Sequence, residues 1–152
     1  MPKIDIETLP EVNRTGYPAP FDDIVRGRFR RKLGDAGGLS QFGVNLTRLE
    51  PGSASAQRHW HENEDEFVFI VSGKAVLIED DGETVLKPGD AAAFKAGVQN
   101  GHHLVNKSDQ DVVYLEIGTR APKESGDYPD IDMKFVSDNN ATRYTRKDGT
   151  PY

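Results

Sequence analysis

From residue 42 to residue 117 the chain interrupts itself at short intervals. Runs rich in β-branched and aromatic residues at 42–49, 56–61, 66–71, 74–79, 83–86, 91–94, 102–105 and 112–117 alternate with clusters of Gly, Pro, Asn and Asp. The breaks are Pro51-Gly52, Ser72-Gly73, Asp80-Asp81-Gly82, Pro88-Gly89-Asp90, 97–101 and 107–111. Glycine admits left-handed backbone and proline lacks an N–H, so each cluster ends a regular element. No long amphipathic helix fits between them. Strands at this spacing predict an all-β sandwich or barrel rather than βαβ units. Asp81-Gly82, between the apolar ends of two strands, predicts a two-residue hairpin turn.

The flanks read differently. Residues 1–20 carry Pro2, Pro10, Pro18 and Pro20, which predicts an extended arm lying over a preformed surface. Residues 21–25 suit a helical turn, and 26–33 then alternates loosely up to Gly34, Gly37 and Gly38, so that 26–49 reads as a hairpin. Its basic side, Arg26, Arg28, Arg30, Arg31 and Lys32, invites a phosphate or acidic-partner reading. The expectation taken here is a solvated, charge-guarded edge strand. Residues 121–152 are polar and turn-rich, with one candidate strand at 133–136; they predict a tail that wraps the barrel or mediates assembly.

At 152 residues the chain suits one domain, with a core at about 42–118, the arm and hairpin at 1–41 and the tail at 119–152. The 25 acidic against 19 basic residues, a net charge of −6, argue against nucleic acid or an anionic membrane as partner, though not against a small anionic substrate. There is no cysteine, so disulfides and thiolate metal ligands are excluded. With only 67–71 as its longest aliphatic-aromatic run, and no basic segment followed by an apolar one at the start, the chain is expected to be soluble and cytoplasmic.

His59 and His61 stand two apart, so in a strand both imidazoles reach one point. An acidic turn, 62–65, follows, and a hairpin there returns the Glu66 carboxylate beside them. Downstream, His102 offers a fourth ligand. Imidazoles with a carboxylate suit a borderline divalent metal such as iron, manganese, nickel, cobalt or zinc. Alternation brings Gln57 to the same face as His59, where its amide is expected to meet a substrate hydroxyl or a metal-bound water. If His102 faces inward, so do Leu104 and Asn106, the latter a second substrate-facing amide, while His103 and Val105 point away. Val68 and Ile70 follow Glu66 inward. Trp60, Phe67, Phe69 and Val71 then face outward as an apolar surface, which predicts a homodimer interface or a seat for the arm.

These residues resemble the two sequence motifs of the cupins, small jelly-roll β-barrel proteins. Gly52, His59, His61, Glu66 and Gly73 follow the first motif, with one extra residue between Gly52 and His59. Gly89-Asp90, Lys95-Ala96-Gly97, His102 and Asn106 follow the second, with Lys95 where Pro is usual and a loop from Gly97 to His102 that is two residues longer. The resemblance implies a cupin-type jelly-roll barrel over the motif-bearing stretch, 52–106, with strands on either side. It favours Glu66 over its neighbours Glu64 and Asp65 as the carboxylate ligand, and implies the metal set His59, His61, Glu66 and His102.

More narrowly, the sequence resembles small single-domain bacterial cupins described as sugar-phosphate isomerases, which implies a metal-dependent enzyme acting on a small oxygenated molecule. Two alternatives stand beside it: an iron-dependent dioxygenase, and a non-catalytic module that binds a small ligand or a metal. No general base is evident, so the catalytic residues are unknown, although Lys95 or an acid behind the ligands is a candidate. A phosphate handle needs Arg or Lys in the barrel mouth, and Arg58 alternates outward from His59.

Overall fold

The computed structural model describes residues 3–139 and 141–152; Pro2 of the arm lies outside them. Twelve strands are present among the described residues, joined by one short helix. They are β1 (Arg28–Lys32), β2 (Phe42–Leu49), β3 (Trp60–His61), β4 (Glu66–Ser72), β5 (Ala75–Glu79), β6 (Gly82–Leu86), β7 (Ala91–Phe94), β8 (His103–Val105), β9 (Val112–Thr119), β10 (Lys123–Tyr128), β11 (Met133–Asp138) and β12 (Ala141–Thr145). The helix, α1 (Leu33–Ala36), joins β1 to β2 where the glycine cluster predicted a turn.

One layer is a five-stranded antiparallel sheet in the order β1-β2-β9-β4-β7. The other is built from β12-β11-β10-β3 and β6-β5-β8. Bridges Ala54↔Val105 and His59↔His102 join these two parts along the segment leading into β3. The strand spacing predicted an all-β sandwich or barrel, and the observed form is the jelly roll that the resemblance to the cupins implies. Between the layers, Leu49, Ile70, Leu77, Leu104 and Val112 form the apolar core, and Tyr128, Met133 and Phe135 form a second cluster towards the C-terminal strands.

Alternation along β4 is as the sequence predicts. Val68 and Ile70 are buried, while Phe67, Phe69 and Val71 are 38, 37 and 46% exposed on the outer face. The turn after β4 depends on Gly73, at φ +77°, where a Cβ would run into the Asp111 carbonyl. The β5-β6 hairpin lies one residue from its predicted turn: Glu79 pairs with Gly82, so Asp80-Asp81 form the loop and Gly82, at φ +125°, opens the strand.

Two expectations are overturned and a third is extended. The 56–61 strand shrinks to Trp60–His61 plus the single bridge at His59, because the chain here is shared between β8 on one side and β10 on the other. The C-terminal residues, expected to wrap the barrel or mediate assembly with one strand at 133–136, supply three strands: β10, β11 and β12 pair in continuous antiparallel register and attach to β3. Lys-Glu-Ser-Gly-Asp-Tyr has little intrinsic β propensity, and this strand is stabilised by its neighbours and by the burial of Glu124, Gly126 and Tyr128 on one face. The basic stretch is not uniformly solvated either. Arg26 and Lys32 are exposed and Arg31 lies outward against Glu7, but Arg28 is buried and Arg30 is mostly enclosed between the layers.

The arm covers the free edge of β1. Val12 exchanges both backbone hydrogen bonds with Arg30, at 2.9 and 3.0 Å, and the Asn13 amide donates to the carbonyls of Arg26 and Arg28. None of the described helices is long and apolar enough to cross a membrane.

Ile70 is fully enclosed whereas Val71 faces out, so Ile70→Ala is expected to cost about 2–5 kcal/mol and Val71→Ala under about 0.5 kcal/mol in urea unfolding. Comparable losses for the two would contradict this inside-outside assignment of β4.

Candidate metal centre

Glu66 opens β4 at its end of the cavity, in one cross-strand row with Gly118 of β9, Gly43 of β2 and Phe94 of β7. Two glycines in that row leave the space beside the carboxylate open. Across the cavity the segment entering β3 delivers His59 and His61, and the His59↔His102 bridge brings His102 to the same place. Glu66 Oε2 lies 2.8 Å from His102 Nε2, 3.4 Å from His61 Nε2 and 3.8 Å from His59 Nε2. The Nε2 atoms of His59 and His61 face each other at 3.1 Å. Donor atoms of His59, His61 and Glu66 all fall within 4.8 Å of one another, and His102 joins them through Glu66.

The outer ring nitrogens decide which lone pairs point inward. His59 Nδ1 donates to the Gln57 carbonyl at 2.8 Å, and His102 Nδ1 approaches the Asn100 carbonyl at 3.4 Å. His59 then presents an unprotonated Nε2 to the centre, whereas His102 Nε2 stands at hydrogen-bond distance from the Glu66 carboxylate and offers a lone pair there only when its proton sits on Nδ1. His61 Nδ1 is buried without a hydrogen bond, 3.8 Å from Glu64 and 3.9 Å from Glu124. The Phe94 ring stacks on His102 with centroids 3.6 Å apart and holds that imidazole in plane.

Electrostatics favour a neutral His59 and an ionised Glu66. Burial drives His59 down to about 3, against the pull of Glu66. Burial alone would raise the Glu66 carboxyl, but hydrogen bonds from His102 and His61 outweigh it and hold the group well below the usual carboxylate range. His61 moves the other way: burial lowers it, but Glu66, Glu124 and Glu64 together raise it. Two nitrogen lone pairs and a carboxylate oxygen aimed at one point repel each other unless a cation sits among them, so this donor set fits a divalent metal.

The register of β8 has Leu104 and Asn106 buried with His102, while His103 turns aside and meets the Ala56 carbonyl at 2.8 Å. The two amides named as substrate contacts are elsewhere. Gln57 donates to the Phe21 carbonyl, clamping the helical turn before β1. Asn106 donates to the carbonyls of Leu49 and Gln110 and accepts from Ser108, so its polar atoms are used within a closed loop anchor. Neither lines the cavity. Same-face alternation gives direction but not distance, and in this structure both amides hydrogen-bond away from the cavity.

The cavity beside the cluster has a volume of about 480 Å³, in the range that holds a small metabolite. Several of its lining residues were not assigned to the cavity from sequence, or not noticed at all. Glu64 lies on it with its Oε1 accepting from Ala121 N–H; burial, then the neighbouring Glu124 and Glu66 charges, raise its carboxyl. Tyr128 and Tyr144 come from the C-terminal strands and Tyr17 from the arm. Arg28 and Arg30 come from the basic stretch. Their spacing of two was the available signal, since such residues share a face. Which face was not legible. Arg58, by contrast, turns out as expected and pairs with Asp80 and Asp130.

A two-layer jelly roll whose wall gathers three imidazoles and a glutamate defines a metal-site type of β-barrel. The chain belongs to the cupin superfamily: the profile of the Cupin domain matches residues 45–118, and the chain is 47% identical to a cupin-superfamily sugar phosphate isomerase of known structure from Silicibacter pomeroyi. That match covers 99% of this chain and 96% of the other, with a TM-score of 0.96. A protein from Acidithiobacillus ferrooxidans named a candidate sugar phosphate isomerase is 29% identical over 84% of this chain and 82% of its own, with a TM-score of 0.76. The polyketide cyclase RemF of Streptomyces resistomycificus, 18% identical over 78% and 79% of the two chains with a TM-score of 0.64, shares the fold. No curated protein matches the chain.

In chelator-treated protein the unfolded chain takes up a proton at His59 below about 6.5, and the folded chain only near about 3. The unfolded state therefore binds more protons in that window, and His59 stabilises the fold less as pH falls through it; His103, also lowered by burial, adds the same sign and His61 the opposite one. Urea unfolding across this range is expected to show a shallower pH slope for His59→Gln than for wild type. Equal slopes would remove His59 from the buried, neutral role.

Proposed function

We propose that this chain is a metal-dependent enzyme acting on a small oxygenated molecule, most specifically a sugar or sugar phosphate isomerase. The observation that carries the reading is the convergence of His59 Nε2, His61 Nε2 and Glu66 Oε2 on the wall of a metabolite-sized cavity. The name of the Silicibacter pomeroyi relative supports the choice of reaction. His59, His61, Glu66 and His102 would hold the metal, which when bound supplies a positive charge that polarises a substrate carbonyl or hydroxyl oxygen.

The protein's own groups account for the rest. Isomerisation moves a proton between adjacent carbons, so a carboxylate with a raised pKa beside the cluster is needed. Glu64 meets that description: its Oε1 is fixed by Ala121 N–H, its Oε2 remains free to carry the proton, and burial raises its affinity for one. Phe94 and Phe135 exclude water from the imidazole faces, stacked on His102 and edge-on to His61 respectively. Tyr128 lies against His59 with ring centroids 5.8 Å apart. A test is incubation of metal-restored protein with a panel of aldose and ketose phosphates in deuterated water. Interconversion with deuterium incorporated at the carbon next to the carbonyl supports the reading. Oxygen consumption by iron-loaded protein without such exchange would replace it with the dioxygenase.

The metal assignment has its own test. His59→Ala and His61→Ala are each expected to abolish stoichiometric metal in elemental analysis while leaving the circular dichroism of the barrel intact. His102→Ala should weaken binding about tenfold or more, and His103→Ala little, since even a partner outside the coordination sphere has effects of that order. Full occupancy in the first two variants would sink the assignment.

The reading includes a homodimer formed through the outer face of the five-stranded sheet. Phe67, Phe69 and Val71 stand exposed there beside Phe42, with the small side chains of Ala91 and Ala93 on the adjacent strand. Phe69→Asp is expected to convert a dimer to a monomer in light scattering, and a wild-type monomer at high concentration would end this part.

A further inference from the structure

The far side of the cavity from Glu66 carries an unusual charge arrangement. In the five-stranded sheet, Arg30 of β1, Thr47 of β2, Tyr114 of β9 and Ile70 of β4 form one inward row. Tyr114 is four residues along β9 from Gly118, the partner of Glu66, so this row lies about 13 Å down the strands from the candidate metal centre. Arg28, one inward position further along β1, has only 5% of its surface exposed and lines the same cavity. Its Nη1 donates to the Ser55 carbonyl at 2.6 Å and its Nη2 to the Arg14 carbonyl at 3.4 Å. No carboxylate among the described residues lies within ion-pair distance of it.

Glu116 neutralises Arg30, with Nε–Oε1 at 3.0 Å and Nη2–Oε2 at 3.3 Å, and is then fully engaged by Asn45 as well. Two enclosed guanidinium groups therefore share one carboxylate. Burying an unpaired cation is unfavourable, and backbone carbonyls offset this only in part. Burial and the neighbouring Arg30 both press Arg28 towards losing its charge, as expected for a cation lacking its counter-ion. A second, independent feature points to the same place. The Tyr114 hydroxyl is wholly buried, lines the cavity and has no hydrogen-bond partner. Its cross-strand neighbour Thr47 also buries its hydroxyl without a hydrogen bond, so neither the phenol nor the alcohol of this row is satisfied among the described residues.

From this we infer that Arg28 and Tyr114, with Arg30 behind them, form an oxyanion subsite for the substrate's terminal phosphate or carboxylate, at the opposite end of the chamber from the metal cluster. The inference rests on reading the cavity as the substrate chamber. It supplies the anion handle that the outward Arg58 does not. A guanidinium and a phenolic O–H make charge-assisted hydrogen bonds to an oxyanion that neither makes in the free protein. A sugar phosphate or a polyhydroxy acid held there by its anionic end extends its hydroxyl or carbonyl end towards His59, His61 and Glu66. Charge also selects: a neutral sugar leaves Arg28 buried and unpaired, so the subsite disfavours it.

The test uses full-length protein stripped of metal by chelator, titrated with inorganic phosphate and separately with acetate, with binding followed by the arginine side-chain resonances. Saturable binding of either anion is expected. Preference for phosphate identifies a phosphate handle, and preference for acetate a carboxylate handle. Arg28→Met should weaken binding about tenfold or more, and Tyr114→Phe by a smaller factor, in line with the loss of one charge-assisted hydrogen bond. Arg28→Lys, which keeps the charge, should retain part of the affinity. Arg143→Met, an exposed position away from the cavity, should change nothing. Absence of saturation with both anions overturns the subsite, as does unchanged affinity in Tyr114→Phe, or an effect of Arg143→Met equal to that of Arg28→Met. Because no metal is present, loss of the metal assignment leaves this measurement intact.

Discussion

The ladder joining β2, β9 and β4 sets everything that faces the cavity. Gly43, Gly118 and Glu66 stand in one row, Asn45, Glu116 and Val68 in the next inward row, and Thr47, Tyr114 and Ile70 in the one after. Each row is a layer of the chamber with its own chemistry: an open space beside a carboxylate, then a polar layer, then a hydroxyl layer closed by apolar packing. Side chains in a strand alternate strictly, so a slip of one residue in either pairing would turn Phe67 and Phe69 inward and send Glu66 to the surface. Ile70 and Val112 oppose such a slip, since both are fully buried only in this register.

Given that register, the two ends of the chamber carry opposite tasks. At the Glu66 end, the ionised carboxylate and the neutral His59 make a concentration of lone pairs, and the carboxyl groups of Glu64 and Glu124 stand close to it around His61. At the other end Arg28 and Arg30 outweigh Glu116. A chamber polarised in this way orients a ligand having one cationic or metal-seeking end and one anionic end, and the low dielectric between the layers strengthens both interactions. Aromatic groups from the arm and the C-terminal strands line the chamber as well. Tyr17, Tyr128 and Tyr144 pack edge-on between the arm and the C-terminal strands, and burial pushes Tyr144 up to about 12, so it remains an uncharged spacer near neutral pH.

The C-terminal strands matter more to the chamber than their composition suggests. β10 brings Glu124 beneath His61 and pins the turn after β3, because the Glu124 carboxylate accepts from the backbone N–H groups of Glu62 and Asn63. That turn is the one from which Glu64 and Glu66 project. A segment read as a polar tail thus holds the geometry of the acidic residues next to the candidate centre.

What the sequence determined by itself was whatever depends on local periodicity and chemical type. The turn residues divided the chain into short strands, the two-residue spacing of His59 and His61 assigned them a common face, and the return to Glu66 and His102 followed from motif spacing; β4 has its apolar and aromatic faces where alternation puts them. Tertiary structure decided the rest, because it depends on which neighbour a strand meets. Lys-Glu-Ser-Gly-Asp-Tyr becomes a strand only because β3 and β11 flank it. Gln57 and Asn106 share a direction with the site, yet Phe21, Leu49 and Gln110 reach their amides first. Arg28 and Arg30 look like a guarded edge until Val12 pairs with that edge and the second layer closes over the face they occupy. Alternation names two faces of a strand, and only the packing of the layers determines which of them becomes the interior.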